Sequence, residues 1–203
     1  MISFQQIIEN RYPEFVKRHR RVSMILSRFL GFLFYEKRFQ QFERDYPHLE
    51  GFDFVEAVLR YFDFHLRLRE FERARIPSSG RVVIVANHPI GSLDGLGLLN
   101  LVRQVRPDVK VIANDMLLAL NPLHRVLLPV DNMGGNTARQ NLRNIRAHLE
   151  SEGALIIFPA GEVSRFGPRG VKDGQWQAGF VKIASSTKVP FLPICVKGRN
   201  SIF

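Results

Sequence analysis

Phe54, Val55, Val58, Leu59, Phe62, His65, Leu66 and Arg69 recur at helical spacing, with Asp53, Glu56, Arg60, Asp63 and Arg67 on the other faces. This spacing predicts one amphipathic helix over 53–73. At residue 81 the pattern changes to Arg81-Val82-Val83-Ile84-Val85-Ala86, a β-branched run of buried-strand length, then a glycine loop and a helix-compatible stretch over 93–105. The unit recurs, with strands predicted near 110–113, 126–130, 154–158 and 191–196 and helices around 116–120, 137–150 and 175–185. Alternation of this kind predicts an α/β fold: a mostly parallel central sheet flanked by helices, preceded by an N-terminal helical segment.

The chain has 203 residues, enough for one domain with an appended subdomain. Twelve of its seventeen Phe precede Ile76 and thirteen of its fifteen Gly follow it. The shift divides the chain into a helical segment, 1–76, and an α/β domain, 77–203. Cys195 is the sole cysteine, which excludes an intramolecular disulfide or a cysteine-rich zinc cluster and fits a reducing compartment. Its apolar neighbours predict a small core residue. The longest strongly apolar run, 22–35, contains Arg28 and is shorter than the ~20 residues needed to cross a bilayer. With no secretory signal at the start, the expected location is cytoplasmic.

Net charge is +10, with +3 over 1–75 and +7 over 76–203. No RNA-binding or helix-turn-helix signature accompanies it, so nucleic acid is not the expected partner. Lys17-Arg18-His19-Arg20-Arg21 precedes the apolar run, a combination suited to an anionic membrane surface, here the inner face of the cell membrane, or to a helix packed on the core.

The first strand delivers His88 to the carboxyl edge of the sheet, where open α/β sheets place ligands, and Asp94 follows in the first turn of the next helix. A carboxylate on one imidazole nitrogen fixes the tautomer and leaves the other nitrogen free as a base. Read without that partnership, His88 is a loop residue and Asp94 a helix cap. Phe158-Pro159-Ala160-Gly161-Glu162-Val163-Ser164-Arg165 starts where another buried strand stops, bringing Glu162 and Arg165 to the same edge. Arg165 and Arg169 suit an anionic head group. Ser92 lacks the Gly-x-Ser-x-Gly setting of a nucleophile and is expected at the N-cap. Trp176 and Phe180, one turn apart, are expected in the core. The remaining histidines, His19, His48, His65, His124 and His148, show no metal-ligand spacing, so neither metal nor cofactor is expected.

Four ordered blocks then emerge: Asn87-His88-Pro89-Ile90-Gly91-Ser92-Leu93-Asp94-Gly95, Leu128-Pro129-Val130-Asp131-Asn132, Phe158-Pro159-Ala160-Gly161-Glu162, and Val189-Pro190-Phe191-Leu192-Pro193-Ile194. Over roughly 81–199 the chain resembles the glycerol-phosphate and lysophospholipid acyltransferase superfamily. The five residues between His88 and Asp94, where most members have four, make it similar to the hemolysin-type branch, which includes lyso-ornithine lipid acyltransferases. The resemblance implies His88 as general base and Asp94 as its orienting carboxylate, with an acyl carrier protein or CoA thioester as co-substrate and a lysolipid as acceptor. It further implies a substrate-binding surface, to which we assign Asn87, Gly91, Ser92, Asn132, Gly161, Glu162 and Arg165. Asn132 and Val163 stand where the superfamily often carries arginines, and Ala160 and Glu162 replace its usual Glu and Thr. These departures favour an aminoacyl acceptor such as lyso-ornithine lipid over lysophosphatidic acid. A lipid or thioester hydrolase and a non-catalytic lipid-binding module stay open as alternatives. The chain stops soon after the fourth block, which predicts the front portion of a longer protein with an open sheet edge.

Overall fold

The computed structural model describes residues 9, 12–33, 36–113, 120–130, 136–167 and 170–198. It divides into two compact units, Met1–Leu49 and Glu50–Phe203. Among the described residues the first holds three consecutive helices after Glu9, α1 (Pro13–Arg18), α2 (Arg20–Leu33) and α3 (Glu36–Asp45). In α2 the side chains of Val22, Met24 and Ile25 are exposed. No helix among the described residues is long and apolar enough to cross a membrane.

The second unit opens with α4 (Gly51–Tyr61), and the sequence-based expectation of one helix to residue 73 is corrected here. Asp63 takes a left-handed φ of 52°, ending the helix, and residues 64–69 run on without regular structure to a single turn, α5 (Glu70–Arg73). The reason is a change of period. Phe64, Leu66 and Leu68 alternate with exposed His65, Arg67 and Arg69, so an extended chain buries all three apolar residues on the core. Gly97 makes room for this segment, since a Cβ there would come 2.8 Å from Leu66 and 2.9 Å from Phe64.

Five parallel strands form the sheet in the order β3-β2-β4-β1-β7: β1 (Val82–Ala86), β2 (Lys110–Ala113), β3 (Leu127–Pro129), β4 (Ala154–Ile157) and β7 (Phe191–Ile194). A separate antiparallel hairpin, β5 (Arg165–Gly167) with β6 (Gly170–Lys172), was absent from the sequence-based expectations. The helices that follow are α6 (Ser92–Arg103), α7 (Asn136–Glu150) and α8 (Gly179–Thr187). The mostly parallel α/β architecture with N-terminal helices is as expected from the sequence. The predicted helix at 116–120 lies outside the described residues, apart from Leu120. The helix predicted at 175–185 begins only at Gly179, because 173–178 are engaged in loop contacts.

Alternation along β1 sorts the core into two layers. Val82, Ile84 and Ala86 face Val55 and Leu59 of α4 and Leu98, Leu99 and Val102 of α6. Val83 and Val85 face Ile145 and Leu149 of α7 and Ala184 of α8. The compositional shift at Ile76 falls inside this unit, with Ile76 itself in the first layer. β7 forms one edge; Phe191 is exposed and Pro193, which lacks an N–H to offer a neighbour, suits that place. Cys195, expected in the core, is exposed just past this strand.

Candidate active site

Strand order places the site. From β1 the chain crosses over β4 to reach β2, while from β4 it crosses over β1 to reach β7. The two central strands therefore send their connections toward opposite edges, and in open α/β sheets ligands bind at the carboxyl ends of such strands. Val85 pairs with Ile157, so the loops after β1 and β4 begin side by side. His88 comes from the first and Phe158 from the second, and their rings stack with centroids 4.3 Å apart at 30°.

Asp94 is wholly buried, and its Oδ2 lies 3.5 Å from Nδ1 of His88, a side chain that is 17% exposed. The carboxylate is held by the backbone: Ile90 N–H donates to Oδ2 at 2.6 Å and Gly91 N–H at 3.2 Å. Gly91, at φ 112°, occupies the N-cap of α6, making Ser92 the first helical residue rather than the expected cap and Asp94 the third. The acid thus reaches back to satisfy N–H groups that a helix start leaves open, and the helix dipole favours its charge. His88 Nδ1 and Asp94 Oδ1 are buried without a hydrogen-bond partner among the described residues.

Asn87 uses its side chain on the protein itself. Its Nδ2 donates to Val196 O at 2.8 Å, and Val196 N–H donates to its Oδ1 at 2.7 Å, extending the pairing of β1 with β7 beyond the last ladder residue. The loop after β4 packs on the loop after β1, where a Cβ at Gly91 would touch Val163 at 3.5 Å. Gly161, at φ 66°, turns this loop, and its N–H donates to Phe158 O at 3.0 Å. Glu162 Oε2 accepts from Arg165 Nη2 at 2.6 Å in an exposed pair. The Glu162 carboxylate lies against Gly174, where any side chain would collide with it. Asn132 and Arg169 lie outside the described residues.

Two residues at the site were not among those assigned to it from the sequence, although Phe158 opens the third block. Phe158 closes one face of the imidazole, and Asp173 binds around it: Oδ1 accepts from His88 N–H at 3.3 Å and from the Ser164 hydroxyl, and Oδ2 from Trp176 Nε1 at 2.8 Å. Trp176, expected in the core, is instead 42% exposed. Gln177 N–H donates to Pro159 O at 2.9 Å, fastening the same stretch to the loop after β4.

A buried carboxylate facing a partly exposed imidazole can support proton abstraction from a hydroxyl. The chain resembles two curated proteins along its whole length. It is 28% identical to a lyso-glycine lipid O-acyltransferase of Phocaeicola vulgatus, spanning 71% of that protein. It is 27% identical to a lyso-glycine lipid O-acyltransferase of Bacteroides thetaiotaomicron, spanning 73% of it. The family model described as Acyltransferase matches residues 8–203, blocks and N-terminal helices together, and the chain belongs to that acyltransferase family.

Proposed function

We propose that the protein transfers a fatty acyl group from an acyl carrier protein or CoA thioester to the hydroxyl of a lysolipid bearing an amino-acid head group, at an anionic membrane surface. The observation that carries this reading is the buried Asp94 carboxylate 3.5 Å from His88 Nδ1 at the carboxyl edge of the sheet. In the reaction, His88 Nε2 takes the proton of the acceptor hydroxyl as that oxygen bonds to the thioester carbonyl carbon. The tetrahedral intermediate collapses with cleavage of the carbon–sulfur bond. The proton on His88 passes to the departing thiolate, leaving an ester and a free thiol. Asp94 holds the Nδ1–H tautomer and stabilises the imidazolium between the two steps.

Acceptor choice rests on charge. A charge-assisted contact to phosphate contributes about 1.5–3 kcal/mol, and Asn132 and Val163 stand where the superfamily offers arginines for it. Arg165 is drawn instead to Glu162. The two relatives named for lyso-glycine lipid support an amino-acid lysolipid, with lyso-ornithine lipid the alternative within that class. Exposed Val22, Met24 and Ile25, following the basic run at 17–21, support the membrane surface.

Purified protein is to be assayed with acyl thioester alone and with lyso-glycine lipid, lyso-ornithine lipid or lysophosphatidic acid. Acceptor-dependent ester formation is expected, with kcat/KM highest for an amino-acid lysolipid. His88→Ala is expected to lower it by roughly 100- to 10,000-fold. Folded H88A with undiminished transfer overturns the mechanism. Fatty-acid release independent of acceptor makes the protein a hydrolase, and faster turnover of lysophosphatidic acid overturns the acceptor class.

A further inference from the structure

We propose that Asp173 is a positioning residue that fixes the backbone of His88 for proton transfer; this rests on the reading of His88 as general base. The β5–β6 hairpin pairs Arg165 with Lys172, so the two residues flanking its base are Ser164 and Asp173. Both bond to His88. Ser164 N–H donates to the His88 carbonyl at 2.8 Å, and the His88 N–H donates to Asp173 Oδ1 at 3.3 Å. The Ser164 hydroxyl also donates to Oδ1, tying the two flanking residues together.

His88 needs these bonds because it lies beyond the β1 ladder, whose last paired residue is Ala86. Its neighbours are fixed by other means: Asn87 by Val196, and Ile90 and Gly91 by the Asp94 carboxylate. The hairpin base supplies the remaining anchor, at the residue that carries the imidazole. With Phe158 stacked on the ring, the separation of Nδ1 from Asp94 is set by where this backbone sits. Misplacement of a reacting group by about 1 Å costs on the order of 100-fold in rate.

Trp176 makes the anchor measurable without turnover. It is the chain's sole tryptophan, it is 42% exposed, and its indole N–H donates to Asp173 Oδ2. Asp173→Ala removes every acceptor, whereas Asp173→Asn keeps the shape and one acceptor oxygen. Asp173→Ala is expected to lower kcat by roughly 10- to 100-fold with KM for donor and acceptor within about twofold of wild type. Asp173→Asn is expected to fall between it and wild type, and it serves alone if the alanine variant does not fold. Quenching of Trp176 by acrylamide is expected to rise in both. If H88A is inactive while kcat of the Asp173 variants stays within about twofold, the positioning role is refuted and the base assignment stands. If H88A is active, base and positioning assignments fall together. A raised KM at unchanged kcat also refutes positioning, because it assigns Asp173 to binding, and unchanged quenching refutes the indole contact.

Discussion

Asp94 shows how one carboxylate fits both a helix cap and the candidate site. Oδ2 accepts the Ile90 and Gly91 N–H groups and faces His88 Nδ1, in a side chain with no solvent exposure. Asp94→Asn with its oxygen in the Oδ2 position still accepts those N–H groups but presents only a weaker, uncharged acceptor to the imidazole. Its expected result is a rate loss of about two to four orders of magnitude with an unfolding midpoint near wild type. Asp94→Ala removes the cap as well, and about 0.5–2 kcal/mol of stability is expected to go with the activity. Thermal unfolding and kcat measured on both variants check the separation. Asp94 and His88 were legible in the sequence because both lie on one strand-loop-helix unit, where spacing alone predicts proximity. Asp173 was not, because its bond to His88 spans 85 residues and depends on a hairpin that three-residue strands scarcely announce. Asn87 was read as substrate-binding from its motif; only the structure reveals the Val196 backbone groups that occupy its amide.

At the scale of elements, long buried strands declared themselves through unbroken apolar runs, as in β1 and β4. The segment after α4 did not, since Phe62, Leu66 and Arg69 fit a helix by spacing while Phe64, Leu66 and Leu68 fit an extended chain. The space made by Gly97 decides between them. Opposite the edge that carries His88, wholly buried Arg106 ties together three connections. It bonds the Gly80 carbonyl at 2.6 Å, the Glu152 carbonyl at 2.6 Å and both oxygens of Asp108 at 2.7 Å. The Arg106 guanidinium holds the Asp108 carboxyl below its ordinary 3.8. Nearby, half-buried His148 at the end of α7 donates from Nε2 to Ala154 O at 2.9 Å. Burial lowers its pKa from the ordinary 6.5, with the Ala154 bond opposing and the Lys110 charge reinforcing the shift. Because the folded state resists the proton more than the unfolded chain does, His148 contributes stability above pH 6.5 that is lost as pH falls below it. Asp108 and Glu152, also lowered, from 3.8 and 4.5, act only at more acid pH. The stability of wild type to urea is therefore expected to fall as pH drops below 6.5. His148→Gln, which keeps a donor for Ala154 but cannot titrate, is expected to flatten that slope. An equally steep slope in the variant contradicts the assignment.

For the molecule as a whole, a net charge of +10 combines with a basic, apolar sequence near the N-terminus. In the proposed function, long-range attraction would bring the chain toward anionic head groups and apolar side chains would then hold it at the interface. In the first unit Lys17 and Arg18 end α1 and Arg20 and Arg21 begin α2, which exposes Val22, Met24 and, at 69%, Ile25. Each basic residue near an anionic surface contributes about 1 kcal/mol, so losing the attraction of these four alone costs roughly three orders of magnitude, and reversing them to Glu is expected to weaken binding to anionic vesicles by at least that much. Ile25→Asp probes the apolar share separately: it withdraws a side chain worth about 1.5–3 kcal/mol when buried and replaces it with a charge repelled by the surface. Co-sedimentation with phosphatidylglycerol-containing vesicles, against phosphatidylcholine vesicles and at about 0.1 M and 1 M salt, reads both contributions, because the Debye length falls from about 10 Å to 3 Å across that range. Wild type is expected to bind the anionic vesicles at the lower salt and to lose most of that binding at the higher. Equal binding to both vesicle types, insensitive to salt and to the fourfold reversal, removes the electrostatic route. Loss in the reversal variant with full retention in Ile25→Asp leaves attraction to the surface and removes insertion by α2.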